Sequence, residues 1–302
     1  MNAKSYTVVG LGELLWDMFP EGKQLGGAPA NFAYMTSLLG DQAVVASRIG
    51  NDALGRSAGR RLERLGLRSA SLQFDESHPT GTVGVEVDDA GQPSFEIAKN
   101  VAWDFFEFTP GWQELAGRAD AVCFGTLAQR SPKSRETIGS FLRAVHPGTI
   151  RIFDVNLRQA FYSAEILADS ARLADIIKLN VDELPVVAKH LGLTFVDELS
   201  AAKAIRETFQ SKLVCVTRGA KGSLLVSAEA TNEHPGCEIT VADTVGAGDA
   251  FTAALVYHYL RRAALPTLNE AANRMGAWVA SQTGATPSRD NMKLEKIRTV
   301  AA

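Results

Sequence analysis

Asp249 ends the glycine-rich part of the run Asp243-Thr-Val-Gly-Ala-Gly-Asp-Ala-Phe251. Gly246 and Gly248 stand just before it, and the apolar residues Ala250, Phe251, Ala253, Ala254, Leu255 and Val256 follow. That is a glycine turn opening a helix. The first N–H groups of a helix lack intrahelical partners and carry the positive end of its dipole. Glycines let another group come close to that backbone, so the turn makes an anion hole suited to a phosphoryl group. A carboxylate in the first turn, beside that anion, is poorly placed to bind phosphate but well placed to take a proton from an attacking hydroxyl. The stretch points to phosphoryl transfer to an alcohol. In isolation it also fits an ordinary loop whose aspartate only complements a helix dipole.

A second constellation lies near the start of the chain, Leu25-Gly-Gly-Ala-Pro-Ala-Asn-Phe-Ala33, with Asp17 a short loop ahead of it. The paired glycines admit a ligand to the backbone, and Asn31 offers both donor and acceptor groups. Carboxylate plus amide suits a polyhydroxylated ligand; the same residues also make a plain helix entry with Asn31 exposed. Asp154-Val-Asn-Leu-Arg158 follows an apolar run, at a strand end where α/β proteins place functional loops, and Arg158 could neutralise a phosphate. Asn180-Val-Asp-Glu183 sets an amide and a carboxylate on one face of a helix start, able to hold hydrated Mg²⁺ through its waters. It is equally a capping box. Thr217-Arg-Gly-Ala-Lys-Gly-Ser223 could line a nucleotide or form a simple hairpin. The common nucleotide loops are missing: there is no Gly-x4-Gly-Lys, and leucine at position 15 breaks the dinucleotide fingerprint after Gly10-Leu-Gly12.

These motifs sit among short apolar runs that alternate with helical patterns. Strands are expected at Tyr6–Leu11, Ala43–Arg48, Ala121–Phe124, Ile150–Val155, Ile176–Leu179, Leu213–Thr217 and Ser223–Val226. Helices are expected at Pro29–Leu39, Leu54–Leu65, Ser134–Val145, Val181–His190, Leu199–Phe209, Ala250–Arg261 and Leu268–Ser281. Strands that are apolar throughout and separated by helices imply a mainly parallel sheet covered on both faces. Thr82–Asp88 and Pro93–Ala98 instead alternate apolar and polar around the turn Asp89-Ala-Gly91, which predicts an antiparallel hairpin with one wet face. Residues of about 72–106, with part of 12–25, are read as a small β lid; an ordinary edge hairpin is the alternative. The hairpin is also a candidate for pairing across a two-fold axis in a homodimer.

Bulk properties narrow the classes. A net charge of −3 and the lack of a long basic run argue against nucleic acid as a partner. Cys123 and Cys215 lie in apolar runs and read as buried strand residues; Cys237 stands apart from both. No apolar run nears the ~18 residues of a membrane span. Glu13 and Asp17 interrupt the first apolar stretch, against a signal peptide, so a reducing cytoplasm is the expected setting.

Taken in order, the five motif segments resemble the ribokinase-type carbohydrate kinases, the PfkB family. Gly26-Gly-Ala-Pro-Ala-Asn31 with Gly50-Asn-Asp-Ala-Leu-Gly55 is similar to the family's N-terminal signature, and Asp243–Asp249 to its C-terminal one. The likeness runs from about residue 7 to about residue 288. It implies one three-layer α/β/α ribokinase-like domain with a β lid, and transfer of the γ-phosphoryl group of ATP to a sugar hydroxyl. Asp249 would be the base, and the N–H groups of Gly246, Ala247 and Gly248 the anion hole. Asp17, Gly27 and Asn31 would meet sugar hydroxyls, with Arg158 beside them. Asn180 and Glu183 match the Asn-x-x-Glu motif that helps position Mg²⁺ and phosphate. Thr217, Gly219 and Gly222 match a nucleotide-site turn, and Asn273 falls where a residue near adenine is expected. Asp243 and the segment Ser281–Ser288 are compatible with a monovalent cation, K⁺, beside the hole. Gly12-Glu-Leu-Leu-Trp-Asp17 followed by Pro20 looks most like fructokinases, and Asp154–Arg158 like fructokinases or 2-keto-3-deoxygluconate kinases. Lys99–Asp104 could add sugar contacts. A nucleoside kinase would need an aromatic platform, for which Phe95, Trp103 and Phe105 are available. Outside enzymes, the alternative is a sugar sensor that binds without turnover.

Overall fold

Val8 and Val9 are both fully buried, although successive strand residues face opposite ways. Their strand must therefore be covered on both faces. A computed structural model, which describes residues 4–20, 22–87 and 93–300, shows how. The strands are β1 (Thr7–Leu11), β2 (Leu15–Phe19), β3 (Gly22–Gly26), β4 (Gln42–Gly50), β5 (Leu72–Asp75), β6 (Gly81–Val87), β7 (Pro93–Ile97), β8 (Ala121–Phe124), β9 (Ile150–Asp154), β10 (Ile176–Asn180), β11 (Leu213–Thr217), β12 (Ser223–Ser227) and β13 (Thr231–His234). The helices are α1 (Ala28–Leu39), α2 (Ala53–Arg64), α3 (Pro110–Arg118), α4 (Pro132–Ala144), α5 (Ala164–Leu173), α6 (Glu183–His190), α7 (Glu198–Phe209), α8 (Ala247–Leu260), α9 (Leu265–Ala280) and α10 (Asn291–Arg298).

The large sheet has nine strands in the order β13-β12-β11-β10-β9-β8-β1-β4-β5. All its pairings are parallel except β11 with β12 and β12 with β13. One face carries Val8, Val45, Cys123 and Cys215, packed with residues of α1, α8 and α9 such as Phe32, Leu255 and Met275. The other carries Val9, Val122, Phe153 and Val214, packed with residues of α3, α4, α5 and α7 such as Leu115, Phe141, Leu167 and Ile205. This is the three-layer α/β/α arrangement expected from the chain. From β1 the chain runs outward to β4 and β5, then returns to add β8 on the other side of β1. That reversal is the switch point at which open α/β sheets leave a crevice beyond the strand ends.

The smaller sheet has four strands in the order β3-β2-β6-β7. Two expectations change here. Leu72–Asp75, expected in the small sheet, pairs in parallel with β4 and extends the large one. Within the hairpin, β6 lies between β2 and β7, so among the described strands β7 and β3 form the free edges. The turn Asp89–Gly91 lies outside the described residues. Of Lys99–Asp104, expected to add sugar contacts, Lys99 and Asn100 stay exposed but Val101–Asp104 is core: Trp103 is 0% exposed and the Asp104 carboxylate is held by Arg130 Nε and Nη2 at 2.8 Å each. Helices α3, α5 and α10 were not among those expected; each opens on a side-chain cap, from Thr109, Ser163 and Asp290.

The Arg130 guanidinium is 6% exposed and lies over the Trp103 and Phe161 rings at 3.9 and 4.8 Å. Removing its partner would strand a buried cation. Asp104→Ala is therefore expected to cost ~3–5 kcal/mol in urea unfolding. Asp169→Ala, which breaks pairs half exposed at the surface, should cost less than ~1 kcal/mol. Equal losses would refute this ranking.

Candidate active site

Glycines bring the site's elements together. A Cβ on Gly10 would run into the Pro29 carbonyl, so only glycine lets α1 cross β1 this closely. Gly27, at φ 106°, turns the chain from the small sheet into α1 against the backbone of Glu13. Gly246, at φ 77°, is the N-cap of α8, and a Cβ there would lie 2.6 Å from that of Ala285. The starts of α1 and α8 then meet: Asn31 Nδ2 donates to Asp249 Oδ2 at 2.9 Å. Two motifs 218 residues apart become one site. At the switch point, Glu13, Pro29, Thr126, Asp154 and Asp249 enclose a cavity of about 20 Å³, room for a single water.

Asp249 lies in the first turn of α8, as the glycine pattern predicted. Its carboxyl is pushed up to about 6, mainly by burial and then by the charge of Asp154; the Asn31 amide, Lys178 and Arg158 pull the other way. A base poised there is ionised near neutrality yet still basic enough to accept a proton. Glu13, 5% exposed, is pushed up to about 7, first by burial, against the pull of Arg158. Asp17 on β2 is raised by burial and opposed by the charge of Arg158. The exposed Arg158 thus offsets Glu13, Asp17 and Asp249 together. Its loop turns at Asn156, φ 47°, a left-handed position that asparagine tolerates.

Sequence reasoning missed Lys178. It stands in the apolar run Ile176-Ile-Lys-Leu179, and its Nζ lies 3.0 and 3.2 Å from the Asp154 oxygens. A lysine inside a strand buried on both faces was the available signal, since a buried charge needs a partner.

The remaining predicted residues divide into two groups. Asn180 Oδ1 accepts from the Asp182 and Glu183 N–H groups, while Glu183 Oε2 accepts from the Asn180 N–H at 2.8 Å and Oε1 from that of Leu157 at 2.7 Å. The pair is a reciprocal helix cap. Each Glu183 oxygen keeps a lone pair, which fits contact with Mg²⁺ through one of its waters. Among the described residues, no group of His, Cys, Asp and Glu could hold a metal ion by itself. Asp243 accepts from the N–H groups of Val245 and Gly284, both at 3.0 Å, which ties the 281–288 segment to the turn before α8. Thr217, Gly219 and Gly222 form the β11–β12 turn, where a Cβ on Gly222 would strike the His234 carbonyl. Asn273 is not brought to the surface of this turn: its amide donates inward to Ser223 Oγ and to Asn269.

A family model described as pfkB family carbohydrate kinase matches residues 13–292. The chain is 30% identical to a Pyrococcus horikoshii protein described as a sugar kinase, over 100% of both. It is 30% identical to an Escherichia coli fructokinase, over 98% of this chain and 100% of that one. The Pyrococcus protein solved in complex with ATP matches with a TM-score of 0.81 at 27% identity, covering 96% of this chain and 99% of that one. A Vibrio cholerae O395 fructokinase solved with fructose, ADP and a calcium ion matches with a TM-score of 0.78 at 26% identity, over 97% and 98%. A double mutant of that fructokinase was solved with fructose, ADP and a potassium ion.

Glu13 costs stability where it is ionised. Its folded pKa of about 7 exceeds the ordinary 4.5, so its contribution is fully present below about pH 4.5 and is lost as pH rises through 7. Glu13→Gln should therefore be more stable than the wild type at pH 8 by roughly 1–3 kcal/mol, the gap shrinking towards zero by about pH 5. Urea titrations at both pH values check this; an equal gap at both would count against a buried, titrating Glu13.

Proposed function

The chain belongs to the pfkB family of carbohydrate kinases, and we propose that it transfers the γ-phosphoryl group of ATP to a hydroxyl of a sugar, fructose first among the candidates. The observation that carries this reading is the Asn31–Asp249 hydrogen bond at the glycine-opened start of α8. Asp249, read as the base, is held there by the sugar-side motif beside the glycine-opened helix start. The acceptor hydroxyl gives its proton to Asp249 as its oxygen bonds to the γ-phosphorus. The bond from that phosphorus to the β,γ-bridging oxygen breaks, and ADP leaves with the electron pair. The N–H groups of Gly246 and Gly248 receive the charge on the transferring group; that of Ala247, expected to join them, is given to the Thr244 carbonyl at 3.2 Å. Asn180 and Glu183 would meet the waters of a bound Mg²⁺, which would neutralise phosphate charge. Asp243, with the segment it tethers, is the candidate neighbour of a K⁺ ion.

Asp17, Gly27, Asn31 and Arg158 are proposed to hold the sugar, the small sheet closing over it and excluding water. The Gly12–Asp17 segment and the named fructokinases support fructose. The exposed Arg158 guanidinium favours a second reading, a 2-keto-3-deoxy sugar acid, whose carboxylate it could bind. A nucleoside is less well served: Trp103 is buried and Phe105 stacks on His78 at 3.6 Å, while the side chain of Phe95 lies outside what is described. Cys123, Cys215 and Cys237 are all free thiols, which supports work in the reducing cytoplasm. The free edges β3 and β7 support a homodimer paired through the small sheet, to be checked by sedimentation.

ADP release should depend on one sugar in a panel of fructose, 2-keto-3-deoxygluconate, ribose, glucose and adenosine with Mg-ATP and potassium. Asp249→Asn should lower kcat by ~10³-fold or more while sugar affinity stays within a few fold, because the base goes and the contacts remain. The acid limb of kcat/KM should fall near pH 6. Sugar-independent ATP consumption, or near-normal turnover of Asp249→Asn, would sink the assignment. Sugar binding without any turnover would favour the sensor.

A further inference from the structure

A buried charge pair lies directly behind the anion hole. Lys178 and Asp154 have side chains 9% and 7% exposed, and Lys178 Nζ bridges both Asp154 oxygens. Thr252, one turn into α8, donates to Asp154 Oδ2 at 2.8 Å and lies 3.0 Å from the Gly248 carbonyl. The ammonium also backs the hole itself: a Cβ built on Gly248 would lie 3.0 Å from Lys178 Nζ. The second glycine of the motif is thus where α8 seats on this lysine. Ile176, Cys215 and Ile152, which share its face of the sheet, are all 0% exposed, so apolar residues at 178 and 154 together would serve the fold as well or better. Nothing in the fold calls for a charge there, whereas a site handling phosphoryl charge does.

We propose that the Lys178–Asp154 pair is a positioning device for phosphoryl transfer. Lys178 supplies positive charge behind the Gly248 peptide, and Asp154, tied to α8 through Thr252, fixes that charge and sets the proton affinity of the base. The proposal rests on Asp249 being that base. The charged and titratable groups acting on Asp249 are Lys178 from β10, Asp154 from β9, Arg158 from the loop after β9, Glu13 from the loop after β1, and Cys123 from β8; Asn31 from α1 adds a hydrogen bond. Of the pair, Asp154 opposes ionisation of Asp249 and Lys178 favours it. Lys178 itself stays charged throughout.

The two halves of the pair must therefore act in opposite directions, which a purely structural pair would not do. In the full-length enzyme, with Mg-ATP and the preferred sugar, kcat/KM is measured from pH 5 to 9. Asp154→Asn should move the acid limb down by about half a pH unit or more, and Lys178→Met should move it up by a similar amount. Lys178→Met should also lower kcat by ~10–100-fold with the sugar KM within about threefold, since its charge acts on the transferring group. Limbs that move together, or not at all, overturn the proposal. Should a single variant fail to fold, Lys178→Met with Asp154→Leu replaces the pair by apolar side chains. That double variant should be as stable as the wild type yet at least ~10-fold slower, and full activity in it also overturns the proposal. These failures leave the parent reading intact as long as the wild type shows sugar-dependent ADP release that Asp249→Asn abolishes. Without that release, both readings fall together.

Discussion

The organising constraint is a carboxylate held where carboxylates are uncomfortable. Asp249 sits at the start of a long, buried helix, where the dipole favours anions, but burial and the neighbouring Asp154 disfavour them. Asn31 resolves the conflict by donating to it from α1. That bond requires α1 to cross β1 closely, which requires glycine at 10 and 27. It also requires α8 to begin at a left-handed Gly246. The switch point of the sheet, the glycines and Asp249 are one geometric problem with one solution.

Around this carboxylate the protein collects more negative charge than it neutralises locally. Glu13, Asp17, Asp154 and Asp249 face Lys178 and Arg158. Burial then raises Glu13 and Asp249 toward neutrality instead of allowing every group to ionise. A site arranged for stability alone would not be built this way. The strain belongs to groups lining the crevice, while pairs outside it, such as Arg130 with Asp104, are closely matched.

The layered fold was legible because each large-sheet strand reads as a short apolar run between helical patterns. Asn31 and Asp249 were legible because glycines advertise close backbone approach. Other features were hidden by chemistry that short windows do not show. Leu72–Asp75 reads like its hairpin neighbours, and only its pairing with β4 assigns it to the large sheet. Trp103 and Asp104 read as ligand-facing polar and aromatic residues, but Arg130, distant in sequence, claims them for the core. Asn273 turns inward because Ser223 and Asn269 offer it hydrogen bonds that the sequence cannot pair. Lys178 was visible as an anomaly, a charge in an apolar strand, without the partner that explains it.

The capping pair Asn180 and Glu183 shows how one motif can satisfy both readings the sequence allowed. Asn180 closes the entry to α6 through its Oδ1, and Glu183 returns the bond to the Asn180 N–H. The second Glu183 oxygen reaches across to the Leu157 N–H, next to Arg158. A residue matching a metal-and-phosphate motif therefore also fixes the loop that carries the cation nearest the sugar-side carboxylates. The link is backbone to carboxylate, so it is short and stiff. It means the proposed metal-and-phosphate side and the proposed sugar side of the crevice share a strut. The same economy appears at Gly248, whose missing side chain makes room for the Lys178 ammonium behind the helix start proposed as the anion site.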